Sequence, residues 1–228
     1  PTIDYVVCKF PRFPFDKFQD ANRTLSTQMK ATGEVMSIGR CFEEAILKAI
    51  RSLENKVDHI ELSKCKNMSN DELISFIIEN TDERIYAVLE ALRRDISIEK
   101  IYRLTKIDRF FLDKFKHITM VEEELNSNPL NEQMLRYAKK WGFSDSHLGR
   151  IYHKTQEEMF ALRKQYNIFP VYKMIDTCAS EFDSYVPYYY STYESENESI
   201  RTDKKKIVVL GSGPIRIGQG VEFDYTTV

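Results

Sequence analysis

The sequence is poor in glycine, cysteine and tryptophan, and its charges nearly cancel. Its 228 residues include 8 Gly, 4 Cys and 1 Trp, and 33 basic residues face 35 acidic ones, for a net charge of −2. Such a small net charge provides no overall field for binding a nucleic acid or a membrane. No apolar run is long enough to span a bilayer, and no signal peptide is visible. We therefore predict a cytoplasmic protein with neither a nucleic acid nor a membrane as partner.

The cysteines and histidines do not have the spacing of a metal site. The cysteines are widely scattered, so we predict reduced thiols rather than a disulfide framework or a zinc site. The histidines fall in helical or loop surroundings without the carboxylate spacing of a ligand set, so we predict surface histidines and no bound metal. The residues concerned are Cys8, Cys41, Cys65 and Cys178, and His59, His117, His147 and His153.

Half of the glycines lie in one short window, from Gly211 to Gly220, directly after an apolar strand-like run. The dinucleotide fingerprint fails there because Arg216 occupies the position of its third glycine. A phosphate-binding P-loop also fails, because Gln219 and Gly220 replace its lysine and hydroxyl residue. A structural turn is favoured over a close approach of backbone to ligand. Two nearby carboxylates, Glu222 and Asp224, could form an acid/base pair, but structural or surface roles are favoured.

Apolar spacing predicts a mainly helical chain. Strands are predicted at Asp4–Lys9 and Glu34–Ile38, followed by an amphipathic helix from Phe42 to Leu53. From about Lys56 to Gln165 one short helix follows another, which indicates an all-α domain. Side chains that can cap these helices recur before the apolar stripes, at Ser69 or Asn70, Thr81, Ser97, Asp108, Ser144 and Thr155.

The pattern becomes extended from Phe169 onward, and five tyrosines fall between Tyr185 and Tyr193. Without clustered arginine or lysine among them, these rings indicate packing rather than the stacking of nucleic-acid bases. The first residue is not Met, the chain begins in a strand-like run, and it stops soon after the glycine window. We therefore expect the sequence to be a piece of a longer protein.

A free-standing helical interaction module, or a helix-turn-helix module, is the alternative interpretation. The run from Trp141 to Tyr152, followed by Thr155 to Tyr166, has helix-turn-helix rhythm. Only Lys154, Arg163 and Lys164 could neutralise phosphates there, which is few for binding DNA.

Three runs together resemble the middle of the large subunit in the carbamoyl-phosphate synthase family. They are Thr27–Arg40, Pro170–Phe182 with Tyr190–Glu194, and Val209–Tyr225. The resemblance implies a mainly α fold, in which an all-α oligomerisation domain is flanked by α/β pieces of two ATP-grasp synthetase halves. The segments implied are the tail of the first, carboxyphosphate half (1–55), the helical oligomerisation domain (56–168), an aromatic strap and linker (169–205), and the start of the second, carbamoyl phosphate half (206–228).

The resemblance also implies a division of labour. The intact enzyme uses two ATP, bicarbonate and ammonia from a glutaminase small subunit to make carbamoyl phosphate for arginine and pyrimidine synthesis. It requires Mg or Mn and K ions besides ATP. The family's passage for intermediates maps onto Gly220, Glu222 and Phe223. The catalytic residues lie outside this sequence, so we expect the chain itself to bind no cofactor, to be inactive, and to act as a scaffold that self-associates through its helical domain.

Overall fold

A computed structural model describes residues 2–18, 20–183 and 185–208. Two strands and a helix come first, then a run of helices, then two more strands. The helices are α1 Phe42–Ser52, α2 Ser63–Asn67, α3 Asn70–Ile78, α4 Arg84–Arg93, α5 Ile98–Thr105, α6 Arg109–Ser127, α7 Glu132–Lys140, α8 Asp145–Tyr152 and α9 Gln156–Gln165. The strands are β1 Val6–Arg12, β2 Gly33–Gly39, β3 Val171–Met174 and β4 Tyr189–Thr192. The predicted mainly helical fold is therefore confirmed.

Strands β1 and β2 form an antiparallel pair that packs against α1. Their register runs from Val6 opposite Gly39 to Arg12 opposite Gly33. The first strand therefore lies further along the chain than predicted and includes Pro11, which a two-stranded sheet tolerates because each strand has a free edge. Helix α1 begins at Phe42 as its apolar spacing predicts, and the helix is buried along most of its length.

The core lies where α1, α3, α4 and α6 meet. Its largest completely buried side chains come from the apolar faces of these helices, which is why the short helices are stable together although none would be stable alone. They include Leu47, Ile50, Leu73, Ile77, Leu89, Leu92, Leu112, Ile118 and Leu125. Among the described residues, no helix is both long and apolar enough to cross a membrane.

Helix caps follow the sequence prediction with one exception. Ser69 and Thr155 form capping boxes with Glu72 and Glu158, and Ser97, Asp108 and Ser144 also cap their helices. The prediction that Thr81 caps α4 is wrong, because the N-cap is Glu83 and has no capping side-chain hydrogen bond. The backbone of Thr81 instead forms an isolated β-bridge with Thr24, which ties the loop before β2 to the helical block.

The segment after α9 forms an antiparallel pair, β3 with β4, in the predicted extended region. The tyrosines there do not share one environment. Tyr190 is buried, whereas Tyr185 is 73% exposed and Tyr188 is 65% exposed. The prediction that this cluster packs into the protein is thus right for Tyr190 and wrong for Tyr185 and Tyr188.

Candidate functional site

A buried carboxylate in the first turn of α1 joins this helix to the last strand. Oε2 of Glu44 accepts hydrogen bonds from the backbone N–H of Arg40 at 2.8 Å and from Oγ1 of Thr192 at 3.0 Å. Nζ of Lys48, one turn along the helix, lies 2.8 Å from Oε1 of Glu44. The helix N-terminus favours a negative charge at this position. Glu44 therefore links residues that lie far apart in the sequence.

Cations on either side of Glu44 extend this link to a third segment. The guanidinium of Arg40 donates to Oε1 of Glu194 at 3.0 Å and to the carbonyl oxygen of Asp4 at 2.6 Å. Nζ of Lys48 donates to the carbonyl oxygens of Ile38 and Ser191. We call the contacts around Arg40, Glu44 and Lys48 the α1 junction, because residues before β1, in β2, in α1 and in β4 meet there.

A second buried ion cluster lies next to the α1 junction. Asp145, at the start of α8, accepts two hydrogen bonds from Nε and Nη2 of Arg163 at 2.9 and 2.7 Å, and one from Nζ of Lys139 at 3.0 Å. Burial lowers the pKa of Lys139, and the attraction of Asp145 raises it. The effect of burial is the larger, so the pKa falls to about 8. The ring centre of Tyr193, the residue after β4, lies 4.9 Å from Nζ of Lys139 and 5.6 Å from the guanidinium carbon of Arg163, so the end of β4 is held against α7 and α9.

Two buried histidines lie in a third polar cluster. Nε2 of His59 is 2.6 Å from Oε1 of Glu122, and Arg93 donates to both oxygens of Glu122 at 2.6 and 2.8 Å. His147 stacks on His59, with ring centres 3.6 Å apart, and its Nδ1 lies 3.0 Å from Nη2 of Arg150. The prediction of surface histidines is therefore wrong for His59 and His147, which the loop 54–62 and helix α8 bring together inside the protein.

The environment of Glu122 keeps it ionised. Burial alone raises the pKa of this carboxyl group, but hydrogen bonds from Arg93 and His59 outweigh burial and hold the pKa well below its ordinary value. Burial, together with the neighbouring His59, lowers the pKa of His147 to about 3. His147 is consequently neutral in the folded protein at physiological pH.

His59, Glu122 and His147 have ligand atoms within 4.8 Å of one another, so they could be considered a metal site. Their hydrogen bonds do not fit one. Arginine can only donate, so Nδ1 of His147 accepts from Arg150 and the ring proton lies on Nε2, which then has no lone pair for a metal. The two rings are within 17° of parallel, so their nitrogens do not converge on one point. The cluster instead joins α4 to α6 by hydrogen bonds, and α8 to both through the stacking of His147 on His59.

The burial of His147 predicts acid sensitivity. Its folded pKa lies below the unfolded value of about 6.5, so the folded state binds fewer protons between these values and stability falls as the pH drops below about 6.5. We expect the free energy of unfolding to fall by roughly 1–2 kcal/mol between pH 7 and pH 5, at 1.36 kcal/mol per unit. Urea unfolding at these pH values measures it. His147→Gln should flatten the slope, and an unchanged slope in that variant contradicts the assignment.

Comparison with known families identifies the helical block. A family model described as the oligomerisation domain of the carbamoyl-phosphate synthetase large chain matches residues 34–167, which is more than half of the chain. The chain belongs to this family. A second model, described as the preATP-grasp domain of carbamoyl phosphate synthase, matches residues 203–228. The resemblance seen in the sequence is thereby confirmed, and the α1 junction and both buried clusters lie in the large-chain oligomerisation domain or directly contact it.

The predicted passage residues Gly220, Glu222 and Phe223 fall within 209–228, outside the residues that the structure describes. The same holds for Asp224 and for the glycine window. Their role in a large chain of this family therefore stays a prediction.

The helix-turn-helix alternative depends on Lys154, Arg163 and Lys164, and the oligomerisation domain uses Arg163 internally. Helices α8 and α9 are joined by three residues, as the sequence rhythm predicts. However, Arg163 is 6% exposed and bound to Asp145, so it cannot reach a phosphate without breaking a buried ion pair. Nζ of Lys164 lies 5.0 Å from the ring centre of Phe160. The alternative therefore retains only two cations, Lys154 and Lys164, which is too few for binding DNA.

Sequence reasoning did not recognise the three buried polar clusters. Glu43 and Glu44 have the position of ordinary acidic residues at a helix N-terminus, although both are buried. The partners of Glu44 and Glu122 lie 148 and 63 positions away along the chain, too far for any local pattern to reveal them. The one available signal was the motif Tyr190–Glu194, whose polar members Thr192 and Glu194 bind Glu44 and Arg40.

Proposed function

We propose that this chain is the central scaffold of a glutamine-dependent carbamoyl-phosphate synthase large subunit. In this role it joins the two synthetase halves, associates with further copies of itself, and performs no catalysis. The observation that carries the proposal is the α1 junction. It binds the segment before β1, which belongs to the first half, and the strand β4, which leads toward the second half, to one buried helix end. The two family matches support the same order of domains.

A scaffold of this kind needs rigid contacts between its segments, and the buried clusters provide them. Glu44 and Asp145 each bind residues from separate helices or strands, and a charge buried with its partners loses much stability when one partner is removed. Movement of β4 relative to α1 would have to break contacts of Thr192, Ser191 and Glu194 together. Relative displacement of the two halves is therefore costly at this point.

The chemistry that we assign to the intact large subunit is the phosphorylation of bicarbonate in its first half and of carbamate in its second. Ammonia would come from a glutaminase partner, in the cytoplasm, and the product would serve arginine and pyrimidine synthesis. Gly220, Glu222 and Phe223 would line the passage between the halves. ATP and its metal ions would bind elsewhere in the subunit, because Glu44, Glu122 and Asp145 all face cations of this chain and do not fit the Mg²⁺ of a bound nucleotide.

Self-association is the first test of the proposal. The 228-residue chain has a mass of 26.9 kDa, and we expect its weight-average mass in sedimentation velocity to rise with concentration toward at least twice that value. The physical reason is that apolar side chains remain exposed on the helical block, among them Phe110 and Phe111. A mass that stays at that of one chain over the whole concentration series would sink the scaffold proposal.

The absence of catalysis is a separate prediction. We expect isothermal titration calorimetry with MgATP to give no saturable heat in the micromolar range. The glycine window lacks the lysine and hydroxyl residue of a P-loop, and the buried carboxylates described above already have cationic partners. A reference protein known to bind MgATP, titrated in the same buffer, provides the positive control. A saturable isotherm with one site per chain contradicts the assignment of ATP to other parts of the subunit.

A further inference from the structure

An exposed group of aromatic rings lies at the start of α6. Phe110 is 56% exposed and Phe111 is 43% exposed, and their ring centres are 5.3 Å apart in an edge-to-face arrangement. Phe42 supports them from α1, with its ring centre 5.6 Å from that of Phe111 and 6.5 Å from that of Phe110. We call these three residues the aromatic patch. The contact with Phe42 holds the two exposed rings in place, so little side-chain entropy is lost when a partner covers them.

An apolar groove borders the aromatic patch. It encloses about 310 Å³ and is lined by Phe10 of β1 and Phe13 just after it, by Ile85 and Val88 of α4, and by Phe111 and Phe115 of α6. Phe111 thus belongs to both the patch and the groove. The exposed ring of Phe110 therefore lies on the same surface as a groove that is large enough to accept a ring. A surface that carries both parts is complementary to itself across a twofold axis, where each copy's ring enters the other copy's groove.

Charges beside the patch have the arrangement that such a twofold contact needs. Lys106 precedes the two rings and Asp113 follows them by one helical turn, and neither forms an ion pair among the described residues. If two copies of this region run antiparallel, Lys106 of one copy lies beside Asp113 of the other, and the pair occurs twice. Most other charged side chains nearby already have partners, as Arg109 does with Glu99 and Lys114 with Glu43.

We propose that the aromatic patch and its groove form the interface between two copies of this chain. The inference rests on the proposed self-association and assigns it a place. The segment that matches the oligomerisation-domain model, 34–167, contains the patch and most of the groove. An interface centred on exposed aromatic rings with a rim of opposite charges has the usual composition of a stable contact.

Substitution at the patch tests the location. We expect Phe110→Glu to weaken self-association about 30-fold or more in sedimentation velocity, as burial of a charge at a central aromatic position does. Met120→Glu is the matched control, because Met120 lies on the same helix and is 51% exposed. It should leave the association constant unchanged. Circular dichroism verifies that both variants fold, which their exposure favours.

A charge exchange distinguishes a second copy from any other occupant. Asp113→Lys alone, and Lys106→Asp alone, should each weaken self-association because like charges would face each other across the axis. An equimolar mixture of the two variants should associate as strongly as the unchanged chain, since each contact then pairs Lys with Asp. Only a contact between copies predicts this recovery.

Two results separate the failure of this inference from that of the proposed function. If the unchanged chain remains a monomer up to roughly 0.2 mM, which covers weak homodimers, self-association itself is wrong. If the unchanged chain associates while Phe110→Glu associates equally well, the copies meet elsewhere and the patch is covered by another part of the large subunit. Equal weakening by Phe110→Glu and Met120→Glu also overturns the assignment.

Discussion

Asp145→Asn should lower the free energy of unfolding by about 3–5 kcal/mol, the usual cost of removing one partner from a buried ion pair. The carboxylate of Asp145 binds Arg163 through two hydrogen bonds and Lys139 through one, and all three side chains are at least 89% buried. The amide has nearly the same shape, so the change removes the charge without creating a cavity. Arg163 then remains in the interior without an anion, and Lys139 loses the attraction that favours its charged form.

The cost should have a visible consequence in β4. The ring of Tyr193 lies 4.9 Å from Nζ of Lys139 and 5.6 Å from the guanidinium carbon of Arg163, so a displaced cation disturbs this contact. We expect urea unfolding to report the loss of stability and hydrogen exchange to report faster opening of residues 189–192. A change confined to α8 and α9, with β4 protected as before, would mean that the cluster does not hold the strap.

Asp95→Asn provides the control for Asp145→Asn. Asp95 also pairs with a lysine, Lys116, at a distance of 2.8 Å, but its side chain is 80% exposed. Exposed ion pairs typically contribute about 0.2–1 kcal/mol. Asparagine tolerates the left-handed backbone of Asp95, whose φ is 56°, so no strain is added. Similar losses in the two variants would show that burial is not what makes the Asp145 cluster important.

The helical block could be predicted from the sequence because its information is local. Apolar residues repeat with the period of a helix, and serine, threonine and aspartate at the helix starts supply hydrogen bonds within three residues of themselves. The end of α6 at Ser127 is also determined locally, because Pro129 disfavours a helical conformation in Asn128, the residue before it. These features need only neighbouring residues, and the structure confirms them.

What the sequence did not reveal depends on contacts between distant segments. Thr81 had the residue type of a cap, but its bridge with Thr24 decided its conformation. His59 and His147 had no metal spacing and were predicted at the surface, and only the tertiary fold brings them together with Glu122. A polar side chain in an irregular loop has no periodicity that would reveal burial, so its environment follows from packing alone.

Gly142→Ala should lower the free energy of unfolding by about 2–6 kcal/mol, since two separate costs apply at this position. The backbone of Gly142 has a φ of 88°, and a side chain in this region is strained by roughly 1–3 kcal/mol. A Cβ at Gly142 would also lie 2.7 Å from Cα of Glu44, a backbone atom of α1, and overpacking of this kind costs roughly 1–3 kcal/mol. The second cost falls directly on the α1 junction.

Two further variants separate the costs at Gly142. Gly142→Asn places the same Cβ against Glu44 but tolerates a positive φ better, so it should be less destabilising than Gly142→Ala. Gly149→Ala has ordinary backbone angles, and its Cβ would meet the carbonyl oxygen of Lys154 at 2.4 Å, so it reports crowding alone. Urea unfolding of the three variants measures the costs, and hydrogen exchange of 189–192 measures the junction. If Gly142→Ala changes neither by a detectable amount, α1 does not need the close approach of Gly142, and the joint between β4 and the helical block depends on Asp145 instead.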